Sequence, residues 1–470
     1  MVGQAIIISL LNDNQNKNIT TLYKSPVFYR GLFFLCIMNK LLIGIFLLSL
    51  CSCTVHKIKK SVNNSGVFSQ GHMGFMLVDP DKKKTLYAHN EDKYFIPASN
   101  TKLFTFYTSY KALGDGLISG LNYIQKEDSL IFWGTGDPTF LHPDFKDTTI
   151  IEFLKNVPQE LYMVNTFAQV PAFGEGWSWD WYNNYYATER SAFPVYGNVL
   201  RLSKSPNEQH GIYPAYFDEA IIEDISTGKF SIYREHKDNI YHFGINREDD
   251  NLSITTDKPF ITSPDIVADM MAKEVGKPVK TIDNKGYHKL PFKKLPTAKV
   301  DSVYAQMMKI SDNFLAEQLM YLVSDTLFDS LDMRAAIAYS KTNYLKDLPD
   351  EPRWVDGSGL SSKNMFTPRT VIALLAKIRE EVPMEKIKSY FPAGGESGTI
   401  RNFYKPDEGM PAYIYAKTGT LTMSNALSGY LITKSGKTLL FSFLLNNYTL
   451  NANELKQEME KVLYQIHHTY

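Results

Sequence analysis

The chain has 470 residues, too many for one ordinary core, so two or more domains are expected. Its 50 Lys+Arg and 50 Asp+Glu cancel, which removes any global field for drawing in nucleic acid. With 44% hydrophobic residues, 21% charged residues and no low-complexity tract, the composition is that of a soluble globular protein.

The three cysteines, Cys36, Cys51 and Cys53, all fall in the first 53 residues, so the body of the chain has neither a disulfide framework nor a thiolate metal site. Met38-Asn39-Lys40 precedes the apolar run Leu41–Leu50. A short charged stretch before an apolar run of that length reads as an export signal, too short for a comfortable membrane span. Ser52-Cys53, with Leu50 upstream, is similar to a bacterial lipoprotein processing box and selects Cys53 for lipidation; a plain cleaved signal or an uncleaved anchor is the alternative. Residues 1–53 are therefore expected to be an extension and signal segment, with Met38 as the true start, and the rest an exported, periplasmic protein with membrane attachment by lipid on Cys53.

Met73–Asp79 and Thr85–Ala88 read as a hairpin around the turn Asp79-Pro80-Asp81. From Thr101 the spacing of Leu103, Phe104, Phe106, Tyr107, Tyr110 and Leu113 predicts a helix that stops at Gly114. Residues 120–292 carry short strand-like runs and an aromatic cluster, Trp177, Trp179, Trp181, Tyr182, Tyr185 and Tyr186, with Asp265–Val275 as the clear helix. Lys289–Pro296 looks like a connector. A helical pattern then runs from Val303, Met307 and Ile310 to Phe314, Leu315, Leu319 and Leu322. After a Gly/Ser-rich loop at Trp354–Asn364 come a helix at Thr370–Arg379 and strands at Tyr413–Lys417, Ala426–Thr433 and Thr438–Asn446. An amphipathic helix closes the chain, burying Leu455, Met459, Val462, Leu463 and Ile466 behind a capping box from Asn451 to Glu454.

Three short motifs stand in order: Ser99-Asn100-Thr101-Lys102, Ser311-Asp312-Asn313 and Lys417-Thr418-Gly419. None is specific alone, since Ser226-Thr227-Gly228-Lys229, Ser362-Lys363-Asn364 and Lys434-Ser435-Gly436 mimic them. Context chooses. Ser99 opens an apolar helix, where residues three apart share a face, so Lys102 can reach its hydroxyl. A buried lysine there can take the serine's proton. Ser311-Asp312-Asn313 interrupts a helical core region, where three polar side chains need the partners a cleft supplies. Lys417-Thr418-Gly419 ends a strand whose lysine and hydroxyls can bind a terminal carboxylate, and Gly419 admits close backbone approach.

The ordered set resembles the penicilloyl-serine-transferase superfamily. The long gap between the first two motifs narrows it, as do Gly134-Thr135-Gly136-Asp137-Pro138-Thr139, Gly176-Trp177-Ser178-Trp179-Asp180, Asp356-Gly357-Ser358-Gly359-Leu360, and Pro392-Ala393-Gly394-Gly395 with Gly398-Thr399-Ile400-Arg401. These segments are similar to those of the class C low-molecular-mass penicillin-binding proteins, the D-alanyl-D-alanine carboxypeptidase/endopeptidase family. The resemblance implies an α+β, transpeptidase-like domain, an antiparallel sheet flanked by helices, built from 54–119 and 293–470, with a β-rich inserted domain at 120–292. It implies that Ser99 attacks the carbonyl between two terminal D-alanines of a peptidoglycan stem peptide, with Lys102 as base. Ser311 and Asn313 would handle proton transfer and orientation. Lys417, Thr418 and Thr420 would hold the carboxylate, and the Ser99 and Thr420 N–H groups the oxyanion. β-Lactams would acylate Ser99; neither metal nor cofactor is called for. The family tends to have an acidic pair after the tryptophans, whereas Trp181 follows Asp180 here. Asp180 is the local candidate for reading a free amino group on the substrate, or it caps a turn.

Two other readings stay open on the sequence. One is a serine β-lactamase, although no Glu-x-x-Leu-Asn motif is found. The other is a non-catalytic lipoprotein that binds peptidoglycan or β-lactams.

Overall fold

The structure, a computed structural model, describes residues 58–145, 147–205, 211–223, 230–244 and 253–470. Cys36, Cys51, Cys53, Met38 and the Ser226–Lys229 motif lie outside the described residues.

Strands from early and late in the described residues share one antiparallel sheet. Its strands run in the order Ile414–Leu421, Ser424–Ile432, Thr438–Asn446, His72–Asp79, Lys84–His89. The expected hairpins are there. Lys434-Ser435-Gly436 forms the tip between the last two strands, with Gly436 at φ 83°, the left-handed conformation a tight turn asks of glycine. Lys434 there pairs with Asp407, at 2.9 Å, so this mimic of the third motif is turn chemistry.

Helices pack against that sheet. Lys102–Leu113 ends at Gly114 with φ 67°. Phe104 is fully buried between Phe366 and Trp354, with ring centroids at 4.1 and 5.8 Å. Burying a phenylalanine so completely contributes roughly 2–3 kcal/mol and holds the helix behind Ser99 in place. Helices Val300–Lys309 and Asn313–Phe328 are separate, with Ser311 and Asp312 between them, as the interrupted pattern predicts. Asp312 caps the second helix by accepting from Leu315 N at 2.9 Å. At the chain's end Asn451 caps Ala452–Thr469 through Asn453 N; this bond, not a reciprocal box with Glu454, starts the helix.

The intervening segment builds its own core around Leu121, Phe132, Leu161, Met163, Val267 and Met271. Its main sheet is mixed, in the order Val279–Asp283, Glu160–Asn165, Ser129–Gly134, Leu117–Gln125, Lys293–Lys299. Two three-stranded sheets accompany it: Ile221–Glu223, Tyr241–Gly244, Ser231–Arg234, and Ile254–Pro259, Val199–Lys204, Gly211–Tyr213. Pro264–Val275 is the helix foreseen, and Thr149–Asn156 adds a second. One expectation is corrected. Lys289–Pro296 is no simple connector, because Lys293–Lys299 pairs antiparallel with Leu117–Gln125 as the edge of this sheet. The sheet thus reaches beyond 120–292 at both ends. Val62–Tyr470 is nonetheless one compact unit.

Candidate active site

Ser99 sits on a 3-10 turn, Ala98–Thr101, and the α-helix begins only at Lys102. The turn is held from three sides. Thr101 Oγ1 donates to Ala98 O at 2.9 Å. Asn100 Nδ2 donates to Lys417 O at 2.8 Å, tying the turn to the edge strand. Gly359 and Gly419 then close on it: a Cβ on Gly359 would lie 2.0 Å from Ala98 O, and one on Gly419 would lie 2.6 Å from Pro97 O and 3.0 Å from Ser99 N. Only glycine permits this approach. Ala98 and Ser311 both have positive φ, 47° and 63°, conformations that non-glycine residues hold only when their surroundings impose them.

Lys102 is fully buried, while Ser99 keeps partial exposure. Lys102 Nζ donates to Ser99 Oγ at 2.9 Å, to Asn313 Oδ1 at 2.5 Å and to Ser358 O at 2.7 Å. Three acceptors match the three hydrogens of an ammonium. Burial nevertheless pushes the lysine down to about 8, against the opposing charges of Asp312, Asp356 and Glu317. When the proton leaves, the Ser99 hydroxyl can donate to the freed lone pair. Lys417, also fully buried, donates to Ser311 Oγ at 2.7 Å and to Thr418 O at 2.8 Å. Burial, with the charge of Lys102 adding to it, pushes Lys417 well below the usual lysine range. The site therefore offers an accessible hydroxyl against a weakened base, with a second hydroxyl on a second weakened lysine. That is equipment for nucleophilic attack and proton relay.

The structure thus brings Ser99, Lys102, Ser311, Asn313 and Lys417 into one hydrogen-bonded cluster. Thr418 is beside it, its hydroxyl 2.8 Å from that of Thr399, and Thr420 is exposed on the same strand. Asp180 is exposed, on the turn Trp179–Asn183; burial, with the charge of Asp180 adding to it, raises the phenol of Tyr186.

The D-Ala-D-Ala carboxypeptidase 3 (S13) family matches residues 54–237 and 273–468, most of the chain. This protein belongs to that family. The carboxypeptidase DacB of Mycolicibacterium smegmatis is 33% identical over 149 residues, 30% of this chain and 32% of the relative, so the match spans about a third of that protein. Penicillin binding protein 4 (dacB) from Haemophilus influenzae shares the fold, with a TM-score of 0.68 and 18% identity over 88% of this chain and 99% of that one. A second structure of that protein, complexed with a novel β-lactam, gives a TM-score of 0.62 at 17% identity, covering 88% and 98%. The α+β architecture with a β-rich insert is the fold of this S13 member.

Several site residues were not legible as such. Tyr185, from the insert, donates its hydroxyl to Asp312 Oδ2. Tyr186 accepts from Asn313 Nδ2 through its carbonyl, at 2.7 Å. The Ser358 carbonyl completes the Lys102 nest, on a loop that Asp356 holds by accepting from Gly359 N at 2.8 Å and Ser361 N at 2.7 Å. The Asp356–Leu360 segment was noticed, but a backbone carbonyl leaves no mark on residue type.

Proposed function

We propose that this S13 member is a serine-type D-alanyl-D-alanine carboxypeptidase of peptidoglycan stem peptides, and that β-lactams acylate the same serine. The observation that carries the reading is the 2.9 Å contact from Lys102 Nζ to Ser99 Oγ, beside the 2.7 Å contact from Lys417 Nζ to Ser311 Oγ. Family membership and the β-lactam complex of the Haemophilus influenzae protein support it. The segments 54–119 and 293–470 hold the reacting groups, and the inserted 120–292 shapes the mouth of the site.

Neutral Lys102 takes the Ser99 proton as Oγ attacks the carbonyl between the two terminal D-alanines. The Ser99 and Thr420 N–H groups receive the developing oxyanion, each worth roughly 3–4 kcal/mol. Ser311, bonded to Lys417, relays to the departing amine the proton that Lys102 took, which leaves Lys102 neutral again, while Asn313 orients the substrate amide. Lys417, Thr418 and Thr420 hold the terminal carboxylate, with Gly419 keeping the strand close. Asp180 takes a free amino group of the stem peptide. Water then attacks the acyl-enzyme and Lys102 again serves as base. Exported placement, with lipid on Cys53, completes the proposal, since the substrate lies outside the cytoplasm; labelling by a radioactive fatty acid that is lost in Cys53→Ser tests that part.

The deciding assay is D-alanine release from a stem-peptide mimic ending in D-Ala-D-Ala. The wild type releases it and Ser99→Ala does not. Release by Ser99→Ala, or none by the wild type, refutes the reading.

A further inference from the structure

One turn after Asn313, on the same face of its helix, lies a glutamate that the reaction above does not use. Glu317 is fully buried. Its Oε1 accepts from Ser358 N at 2.7 Å, and its Oε2 faces Arg190 Nη1 at 3.2 Å. Arg190 is buried too. It donates through Nε to Pro171 O at 3.0 Å and through Nη2 to Phe173 O at 2.6 Å, and its guanidinium lies against the rings of Trp177 and Tyr321 at 5.4 and 5.8 Å. A buried ion pair is on average no more stabilising than well-packed apolar side chains in its place, so stability alone is a poor reason for this one. What it is attached to supplies the reason. Glu317 fixes the N–H of Ser358, and the carbonyl of that same residue accepts from Lys102 Nζ at 2.7 Å.

We propose that Glu317, with Arg190 as its counterion, is the positioning residue of Lys102: it locks Ser358 so that the Ser358 carbonyl stays on Nζ, and it places a negative charge behind the base. The inference rests on the reading of Lys102 as base. Three carboxylates face that lysine, Asp312, Asp356 and Glu317, each favouring its charged form, while Lys417 opposes them from the edge strand. Glu317 itself faces Asp356, Arg190 and the Ser358 N–H, with Tyr321 beside it. Burial, with the charge of Asp356, pushes its carboxyl up to about 7 against Arg190. Glu317 is therefore a carboxylate behind Lys102 whose own charge changes near neutrality.

The test is the rate of acylation of the full chain by benzylpenicillin across about pH 5 to 9, with the adduct located on Ser99. Glu317→Gln keeps an acceptor for Ser358 but removes the charge. Its acidic limb moves to lower pH by about half a unit or more, because a lysine that loses a nearby anion deprotonates more easily. Arg190→Met/Glu317→Gln, which leaves no unpaired charge at that pair, shows a smaller displacement in the same direction, because the arginine's opposing charge goes too, and serves if the single variant does not fold. Glu317→Asp keeps the charge and shortens the reach; its limb stays and its rate falls about tenfold at every pH. A uniform fall in the Gln variants with the limb unmoved would make Glu317 a prop for the loop and overturn the proposal. If the wild type is not acylated at Ser99, or Ser99→Ala still is, the mechanism itself has failed instead.

Discussion

At Lys102 three acceptors surround one ammonium that the proposed reaction needs without its proton. With the group near 8, about a tenth of the molecules hold the neutral amine at pH 7. Acylation should therefore accelerate as pH rises through that region, with apparent values that belong to the coupled Lys102–Lys417 pair. Lys102→Met fills nearly the same space without a base, and stopped-flow acylation should fall by roughly 10²–10⁴-fold; a loss under tenfold would remove the lysine from the mechanism. The residues that the structure gathers around Lys102 were readable in the sequence because the proposed chemistry demands particular side chains at particular spacings: a hydroxyl three residues before a lysine, a serine with an asparagine, a lysine with small hydroxylated neighbours. Ser99 itself proved to be on a 3-10 turn and not inside the helix. Tyr185 and Glu317 escaped notice for different reasons. Tyr185 is one aromatic among many in its stretch, and Glu317 looks like the polar side of an amphipathic helix until its burial is known.

Among the elements, the loop carrying Gly359 and the strand carrying Gly419 together determine where Ser99 points. Gly359→Ala would force a Cβ against Ala98 O and strain a φ of 86°. It should lower the melting temperature and slow acylation by at least about tenfold; normal acylation in a stable variant would deny that this contact positions the nucleophile. Asp137 concerns the edge of the insert's main sheet instead. It is fully buried, accepting from Thr139 N and Oγ1 and from Thr297 Oγ1. Burial pushes it from 3.8 up to about 6 against those hydrogen bonds. A raised carboxyl stabilises the fold most below its unfolded value and loses that contribution as pH rises through about 6, a change of roughly 3 kcal/mol. Asp137→Asn should thus gain stability relative to the wild type between about pH 4 and 7, measured by paired thermal melts; a difference that does not vary with pH would contradict it. Thr297 belongs to the strand that the sequence disguised. Lys293-Lys294-Leu295-Pro296 reads as linker because lysines and proline discourage strands, yet both suit a sheet edge, and the register shifts at Leu295/Pro296.

Across the whole molecule, the insert is bonded to the catalytic helix along its first turns. Tyr185 reaches Asp312, the Tyr186 carbonyl meets Asn313, Arg190 meets Glu317, and Gln318 Nε2 donates to Ser191 O at 2.9 Å. Contacts between residues more than a hundred positions apart have no local signature in the sequence. Tyr185→Phe removes the donor to a buried carboxylate, for an expected loss of about 1–3 kcal/mol and slower acylation; an unchanged melt and rate would mean that the insert does not support the site. The central claim concerns one serine in the intact chain. After brief exposure to benzylpenicillin, mass spectrometry should find a single penicilloyl adduct, mapped to the peptide containing Ser99 and absent from Ser99→Ala. No adduct, or an adduct on another serine, would contradict it.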